Sequence, residues 1–343
     1  MLRYYGKQNC KFHVQVICLL FFLSEIQKFV SRCFQTIQPN SLLAAREACS
    51  LAASGYAGEP RLTIFKQQAK WAFAGAVNAT AALEWFRILQ TPELSTYVRL
   101  NRRLALKPMR VYVSSRWKIE KKIKVMRDTY KFIQIVGSPL QNALSRPGGV
   151  NLARFAITAE SEALVTLGYD NTFRKEGELV ATFTCADLGG TIISLVFSFE
   201  QKENGGWIMY VGCIQGRSGI DNKPVSKAMH GLWPKAFIVF IAQEIASALG
   251  VTTLLGVGND IHSHKKKHVI YISSRHELSF DYDALWTEAE AIPSADGWFD
   301  LPLQLQRRSY ESMKSNKRSM YSRRYAMLDS ISAQIQSSLV PDS

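Results

Sequence analysis

Three short clusters in this 343-residue chain combine side chains that can do chemistry. Asn259-Asp260-Ile261-His262 follows the apolar, β-branched run Val251–Val257. Ligand sites in open α/β sheets gather just beyond the carboxyl ends of strands. Asp260 could there orient His262 as a general base, with Asn259 beside them. The competing reading is a set of polar residues capping a turn. Gln215-Gly216-Arg217-Ser218-Gly219 closes a second strand-like run, Trp207–Gln215. Its glycines free backbone N–H groups for a pyrophosphate, and Arg217, with Lys223, Lys227 and Lys235, adds cations. A plain surface loop is the alternative there. Near the C-terminus, Arg307, Lys314 and Arg318 fall on one helical line, with Lys317 and Arg324 beside it. Such a stripe could bind phosphate groups, present a solvated face, or pair with acidic residues elsewhere in the chain.

Other chemistries are poorly supported. His262, His264 and His268 have Lys265–Lys267 between them, and three lysines repel a dication, so no metal is expected. GxSxG, Walker and HExxH motifs are absent. Residues 99–131 hold 12 Lys+Arg against Glu120 and Asp128 but carry no helix-turn-helix, zinc-finger or RNA-binding signature. Sequence-specific nucleic-acid recognition is thereby disfavoured, while nonspecific attraction to nucleic acid or anionic lipid stays open. The cysteines form no CxxC, and reduced thiols in a cytosol are expected.

The elements that must position these clusters come from a chain that is 47% apolar and 20% charged, an ordinary globular balance. Residues 1–60 read as a variable leader. Phe12–Leu23 is apolar behind Arg3, Lys7 and Lys11, but too short to span a bilayer and without a small-x-small cleavage site. Residues 61–145 form a basic helical region. Its clearest helix follows Ser114-Ser115 as candidate N-caps, with Ile119, Ile123, Met126, Tyr130 and Ile133 on one stripe. Residues 146–305 form a mixed α/β core. In it Glu178–Cys185, Thr191–Glu200 and Trp207–Gln215 are joined by Gly/Asn connections that favour an antiparallel meander. Pro234 opens a helix that Gly250 stops, and Val251–Val257 follows as a strand, so the order implies a βαβ crossover with parallel pairing. His268–Ile272 reads as a further strand and Tyr282–Ala289 as a short helix. Residues 306–343 form a C-terminal basic helix. Charge is unevenly spread: residues 1–150 hold 23 Lys+Arg against 7 Asp+Glu, and residues 151–305 hold 12 against 18, so the basic part can pack on the acidic middle.

The fold expected is therefore α+β: a GNAT-like mixed sheet, made of an antiparallel meander plus a βαβ crossover, with an N-terminal helical part and a C-terminal basic helix. The GNAT-type likeness is one of element order alone. Several strings, in this order and spacing, resemble the VirK/YbjX family of bacterial proteins over roughly residues 60–330. They are Tyr210-Val-Gly-Cys-Ile-Gln-Gly216, Gly231-Leu-Trp-Pro-Lys235, Tyr282-Asp-Ala-Leu-Trp286 and Lys317-Arg-Ser-Met-Tyr-Ser-Arg-Arg-Tyr325. Lys107-Pro108 and the helix through Tyr130 resemble the family's helical part. Trp233 and Thr129 stand where the family usually has Arg and His. The resemblance implies links to virulence and to tolerance of envelope stress such as cationic peptides, without an established reaction. The expectation that follows is a cytoplasmic protein, peripheral to the inner membrane, that acts as an acyltransferase on an envelope component. Gln215, Gly216, Arg217 and Lys235 would hold acyl-CoA or acyl carrier protein, with Asn259, Asp260 and His262 near the chemistry. That reading requires an open crevice where the carboxyl edges of the Trp207 and Val251 segments diverge. The alternative is a non-enzymatic module that binds anionic membrane or nucleic acid through its basic helices.

Overall fold

The computed structural model describes residues 38–157, 161–219, 221–265, 280–309, 311 and 313–340. The Phe12–Leu23 segment and the expected strand at His268–Ile272 lie outside them. Part of the expected leader is helical: α1 (Pro39–Gly55) runs antiparallel to α2 (Arg61–Val77). Gly75 lets the two close, since a Cβ there would stand 2.7 Å from the Ala44 carbonyl oxygen. Next come α3 (Ala79–Ile88), α4 (Pro92–Leu100) and a 3-10 segment, Arg102–Met109, containing Pro108. The amphipathic helix α5 spans Ile119–Val136 and buries Ile123, Met126, Tyr130 and Ile133, as its stripe predicts. Its N-cap is Lys118 rather than a serine; the Ser114 hydroxyl accepts instead from the Arg116 N–H. A short α6 (Ser138–Ser145) follows.

One eight-stranded sheet then forms in the order β1-β2-β3-β4-β5-β6-β8-β7. The expected meander is β3 (Leu179–Cys185), β4 (Gly190–Gln201) and β5 (Trp207–Gly216). It is extended by β1 (Val150–Ala156) and β2 (Glu162–Gly168), which the sequence pattern did not indicate. After α7 (Asn222–Ala228), helix α8 starts with Pro234 in its first turn and ends at Ala248, where Gly250 adopts φ 66°. It returns the chain to β6 (Thr253–Val257), parallel to β5 from Ile208↔Thr253 to Val211↔Gly256. Helix α9 (Tyr282–Glu288) and the hairpin β7 (Ile292–Pro293)–β8 (Trp298–Leu301) complete the sheet, β8 lying antiparallel to β6. Among the described residues the β5/β6 pair is the one parallel pairing, and the other strand pairs are antiparallel. The last helix, α10 (Ser315–Leu339), buries Leu328, Ile331, Ile335 and Leu339 as it packs on β1 and α8.

Neighbouring residues of a strand point to opposite faces, and the two faces of this sheet differ. Phe183 and Phe155 meet Phe237 of α8, and Phe199 meets Phe132 of α5, so one face is a helix-covered aromatic core. On the other face, Tyr112, Trp117, Tyr210 and Trp298 cluster at the β5–β8 side. The basic helical region is joined to the acidic middle by ion pairs. Lys121 and Lys124 both engage Glu200, and Lys107 engages Glu178.

Candidate functional site

Strand β5 outruns its parallel partner: β6 stops at Val257 while β5 continues to Gly216. The crevice this creates is filled. The Tyr282 hydroxyl accepts from the Ile214 N–H at 3.2 Å and lies 3.1 Å from the Ile214 carbonyl oxygen, standing in for a missing strand. The His262 ring stacks on Tyr282, centroids 4.8 Å apart, and is 1% exposed. Trp286 lies so close to Gly256 that a Cβ there would meet its ring at 2.5 Å.

The structure does not bring Asn259, Asp260 and His262 together as an acid–base group. Asn259 ties the end of β6 to α9: its N–H donates to Asp283, its side-chain amide donates to Asp281, and its oxygen accepts from the Tyr282 N–H. Asp260 is exposed, with Lys265 at 3.9 Å, and makes no bond to His262. The carboxylate beside the histidines is Glu176, 3.4 Å from His264 Nε2 and accepting from the Ser263 hydroxyl at 3.2 Å. Burial raises the Glu176 pKa, but the hydrogen bond and charge of His264 outweigh it, and the net shift is downward. Burial, reinforced by His264, lowers His262 to about 4, so its ring is neutral near pH 7. Its Nδ1 accepts from the His264 N–H at 3.3 Å, which leaves the proton on Nε2, a buried atom with no partner. The Cys213 thiol, 3.4 Å from the Tyr282 hydroxyl, is pushed up to about 12 by burial and is no thiolate nucleophile. Glu176 was not foreseen because Arg174-Lys175-Glu176-Gly177 reads as a solvated turn.

Gln215, Gly216 and Arg217 do come together, on the sheet face opposite the aromatic core. Thr166, Thr182, Ser194 and Gln215 are successive cross-strand partners from β2 to β5 and so form one polar row. The row floors a groove of about 690 Å³, walled by the loop from Tyr169 to Phe173 and ending at Arg217. A second hollow of about 400 Å³, toward Asp221 and Pro224, shares Arg217. The Arg217 guanidinium is held by the Gly189 carbonyl at the β3–β4 turn. Phe173 and Val180 line the groove and pack with Val196 and Cys213, so a thin apolar layer separates it from the Glu176–His262–Tyr282 cluster. Lys235 is elsewhere, its ammonium 4.4 Å from the Phe280 ring centroid.

Tyr169, at one end of the groove, also touches a buried network. Its hydroxyl accepts from the Asn101 amide at 2.6 Å, and the Lys107 ammonium lies 5.6 Å from its ring centroid. That ammonium is 2.8 Å from Glu178, whose same oxygen accepts from the Tyr130 hydroxyl at 2.8 Å. The other Glu178 oxygen is buried without a partner.

The anion-binding residues expected at Arg307, Lys314, Lys317, Arg318 and Arg324 do not form one helical line. The helix begins at Ser315, so Arg307 and Lys314 precede it and share no line with Arg318. Arg307 pairs with Asp329, Arg318 donates to the Met313 carbonyl, and Arg324 donates to the His230 carbonyl at 2.7 Å. Lys317 is exposed within the helix's first turn. Among the described residues no group of three or more His, Cys, Asp or Glu is arranged to hold a metal, and no helix is long and apolar enough to cross a membrane.

Comparison with known proteins matches residues 61–337 to the family described as "Protein of unknown function (DUF535)". The chain belongs to the DUF535 family. It is similar to "Uncharacterized protein YbjX" of Escherichia coli K12, 24% identical over 272 residues, 78% of this chain and 81% of that protein. It is also similar to two Haemophilus influenzae proteins, each named "Uncharacterized protein". One is 32% identical over 133 residues, covering 37% of this chain and 43% of that protein. The other is 28% identical over 166 residues, covering 48% and 50%. The DUF535 match starts at Arg61, where α2 begins, and ends inside α10, so it contains the whole sheet and the groove. The resemblance to VirK/YbjX proteins is borne out by these relatives.

Proposed function

We propose that this DUF535 protein binds a phosphate-bearing acyl donor, acyl-CoA or acyl carrier protein, at the Arg217 junction. The acceptor, an envelope component, lies along the polar groove, and the reaction class is GNAT-like acyl transfer. The observation that carries this reading is Arg217 at the shared rim of two adjoining hollows, at the end of β5, whose pairing with β6 is the one parallel pairing among the described strands. The likeness to GNAT enzymes is one of strand order alone: Tyr282, His262 and Trp286 fill the β5/β6 crevice, so the donor is placed at Arg217, outside it. Arg217 supplies a fixed cation for phosphate, and the Thr182, Ser194 and Gln215 side chains supply neutral donors and acceptors for a hydroxyl- or amide-bearing acceptor. Asn259, Asp260 and His262 have no acid–base part in this proposal. Action on an envelope component would link the protein to envelope stress tolerance, from the cytoplasmic side of the inner membrane. The alternative, adhesion of residues 99–131 to polyanions, draws on cations that already have intramolecular partners at Arg103, Lys107, Lys121, Lys124 and Arg127.

The test is thermal stabilisation by CoA, acetyl-CoA and holo-acyl carrier protein, compared between the parent and Arg217→Ala. A rise in melting temperature lost in the variant supports the assignment. No shift with any of the three sinks it.

A further inference from the structure

We propose that the α1–α2 hairpin is an interfacial docking surface that seats its outer face in the headgroup region of an anionic lipid bilayer. Helix α2 is apolar on two sides. Trp71 and Gly75 face inward, Gly75 against α1. On the outer side Leu62, Phe65, Phe73 and Val77 fall within about a third of the helix circumference at 100° per residue. Phe65 is 67% and Phe73 63% exposed, and Leu62 and Val77 are equally open. Leu42 and Leu43, also exposed, sit at the start of α1, the end of the hairpin that meets the end of α2. A helix of a soluble domain buries one stripe and gives water the other; here the outer stripe carries two phenylalanines.

Charge selects the occupant. The charged residues of α2 are Arg61, Lys66 and Lys70, with no carboxylate, and α1 holds Arg46 and Glu47. Lys66 lies within the apolar arc and Lys70 and Arg61 at its margins. A second copy of the hairpin would set these cations against like charges. A surface that is apolar below and anionic above satisfies both features, and that is the chemistry of a bilayer rich in acidic lipid, where bound helices combine aromatic burial with Lys/Arg attraction. The proposal is independent of the groove and its ligand.

The experiment is flotation of the full chain with vesicles of phosphatidylglycerol and phosphatidylethanolamine, against vesicles of phosphatidylcholine. The parent is expected to float with the acidic vesicles, less as salt rises, and weakly with the zwitterionic ones. Phe65→Ser/Phe73→Ser is expected to lower partitioning roughly tenfold or more, and Lys66→Gln/Lys70→Gln to reduce binding to the acidic vesicles alone. Phe65→Ser/Phe73→Ser should keep the parent's circular dichroism and melting temperature, because both rings face solvent; the Lys70 ammonium lies 5.0 Å from the Trp71 ring centroid, so Lys66→Gln alone is the control for loss of that contact in the double lysine variant. Three results overturn the proposal. The parent stays unbound; or Phe65→Ser/Phe73→Ser floats as well as the parent, which moves the contact elsewhere in the chain; or that variant turns a dimer into a monomer by light scattering while neither form binds vesicles, which makes the face a contact between copies.

Discussion

Lys107 and Glu178 meet at 2.8 Å with side-chain exposures of 5% and 0%, so the helical region is tied to the sheet by an ion pair that water hardly reaches. Such a pair adds little over an apolar replacement, yet removing one partner strands the other charge. Lys107→Met is expected to cost about 3–5 kcal/mol in urea unfolding, by the usual penalty for an uncompensated buried charge. Lys107→Met/Glu178→Leu should recover a large part of that loss. A single variant as stable as the parent would show that the pair is not buried in solution.

Tyr282 takes the place of a strand beside Ile214. Tyr282→Phe keeps the packing against His262 but leaves the Ile214 N–H and carbonyl without their partner. A loss of about 1–3 kcal/mol is expected, the cost of an unsatisfied buried group. Amide exchange should locate it, with faster exchange at Ile214 than at its neighbours on β5.

His262 makes stability depend on pH. The unfolded chain takes up a proton at this residue as pH falls through about 6.5, whereas the folded chain does so only near 4. Between those values the unfolded state binds more protons, so stability rises with pH, by about 3 kcal/mol across the full window. Urea midpoints at pH 7 and pH 5 measure this, and His262→Gln should flatten the dependence. His264, Glu176 and Tyr282 surround the ring, and Glu176, held below the usual carboxylate range, protonates at lower pH.

The polar row can be altered without touching the core. Gln215→Ala changes an exposed position and should shift stability by no more than about 0.5 kcal/mol, whereas Thr182→Val breaks a 3.3 Å contact with the buried Ser194 hydroxyl and should cost about 1 kcal/mol. Gln215→Ala, beside Arg217, should weaken binding of CoA several-fold, at about 0.5–1.5 kcal/mol per hydrogen bond lost, whereas Thr182→Val, on the acceptor side, should leave it unchanged. Calorimetric titration checks this; a loss of CoA affinity in Thr182→Val as large as in Gln215→Ala would falsify the division of the groove into a donor end and an acceptor side.

How much of this could be read from residue order depends on where local and tertiary forces agree. The meander, the Pro234 helix and the Thr253–Val257 strand were legible because β-branched runs, Gly/Asn turns, Pro and Gly all point the same way. Strands β1 and β2 were not. Val150–Ala156 contains Arg154, and Glu162–Gly168 opens with the helix-favouring Glu-Ala-Leu; only pairing with β3 makes them strands. The Gln215–Arg217 cluster was visible as a glycine-bearing loop. The row behind it was not, because Thr166, Thr182 and Ser194 meet only through register. The mispairing of Asp260 with His262 has a similar origin: nearness in sequence suggested a couple, and the fold brought Glu176 from another segment.

Strand β1 closes the sheet on one side, and its outward backbone is met by the last helix: the Arg154 N–H donates to Gln334 and the Ser338 hydroxyl donates to the Leu152 carbonyl. That helix is made well after β1, with residues 157–314 between them, so a nascent chain carries a bare strand edge while they are synthesised. Until residues 315–339 emerge, that edge is open to pairing between two unfinished copies.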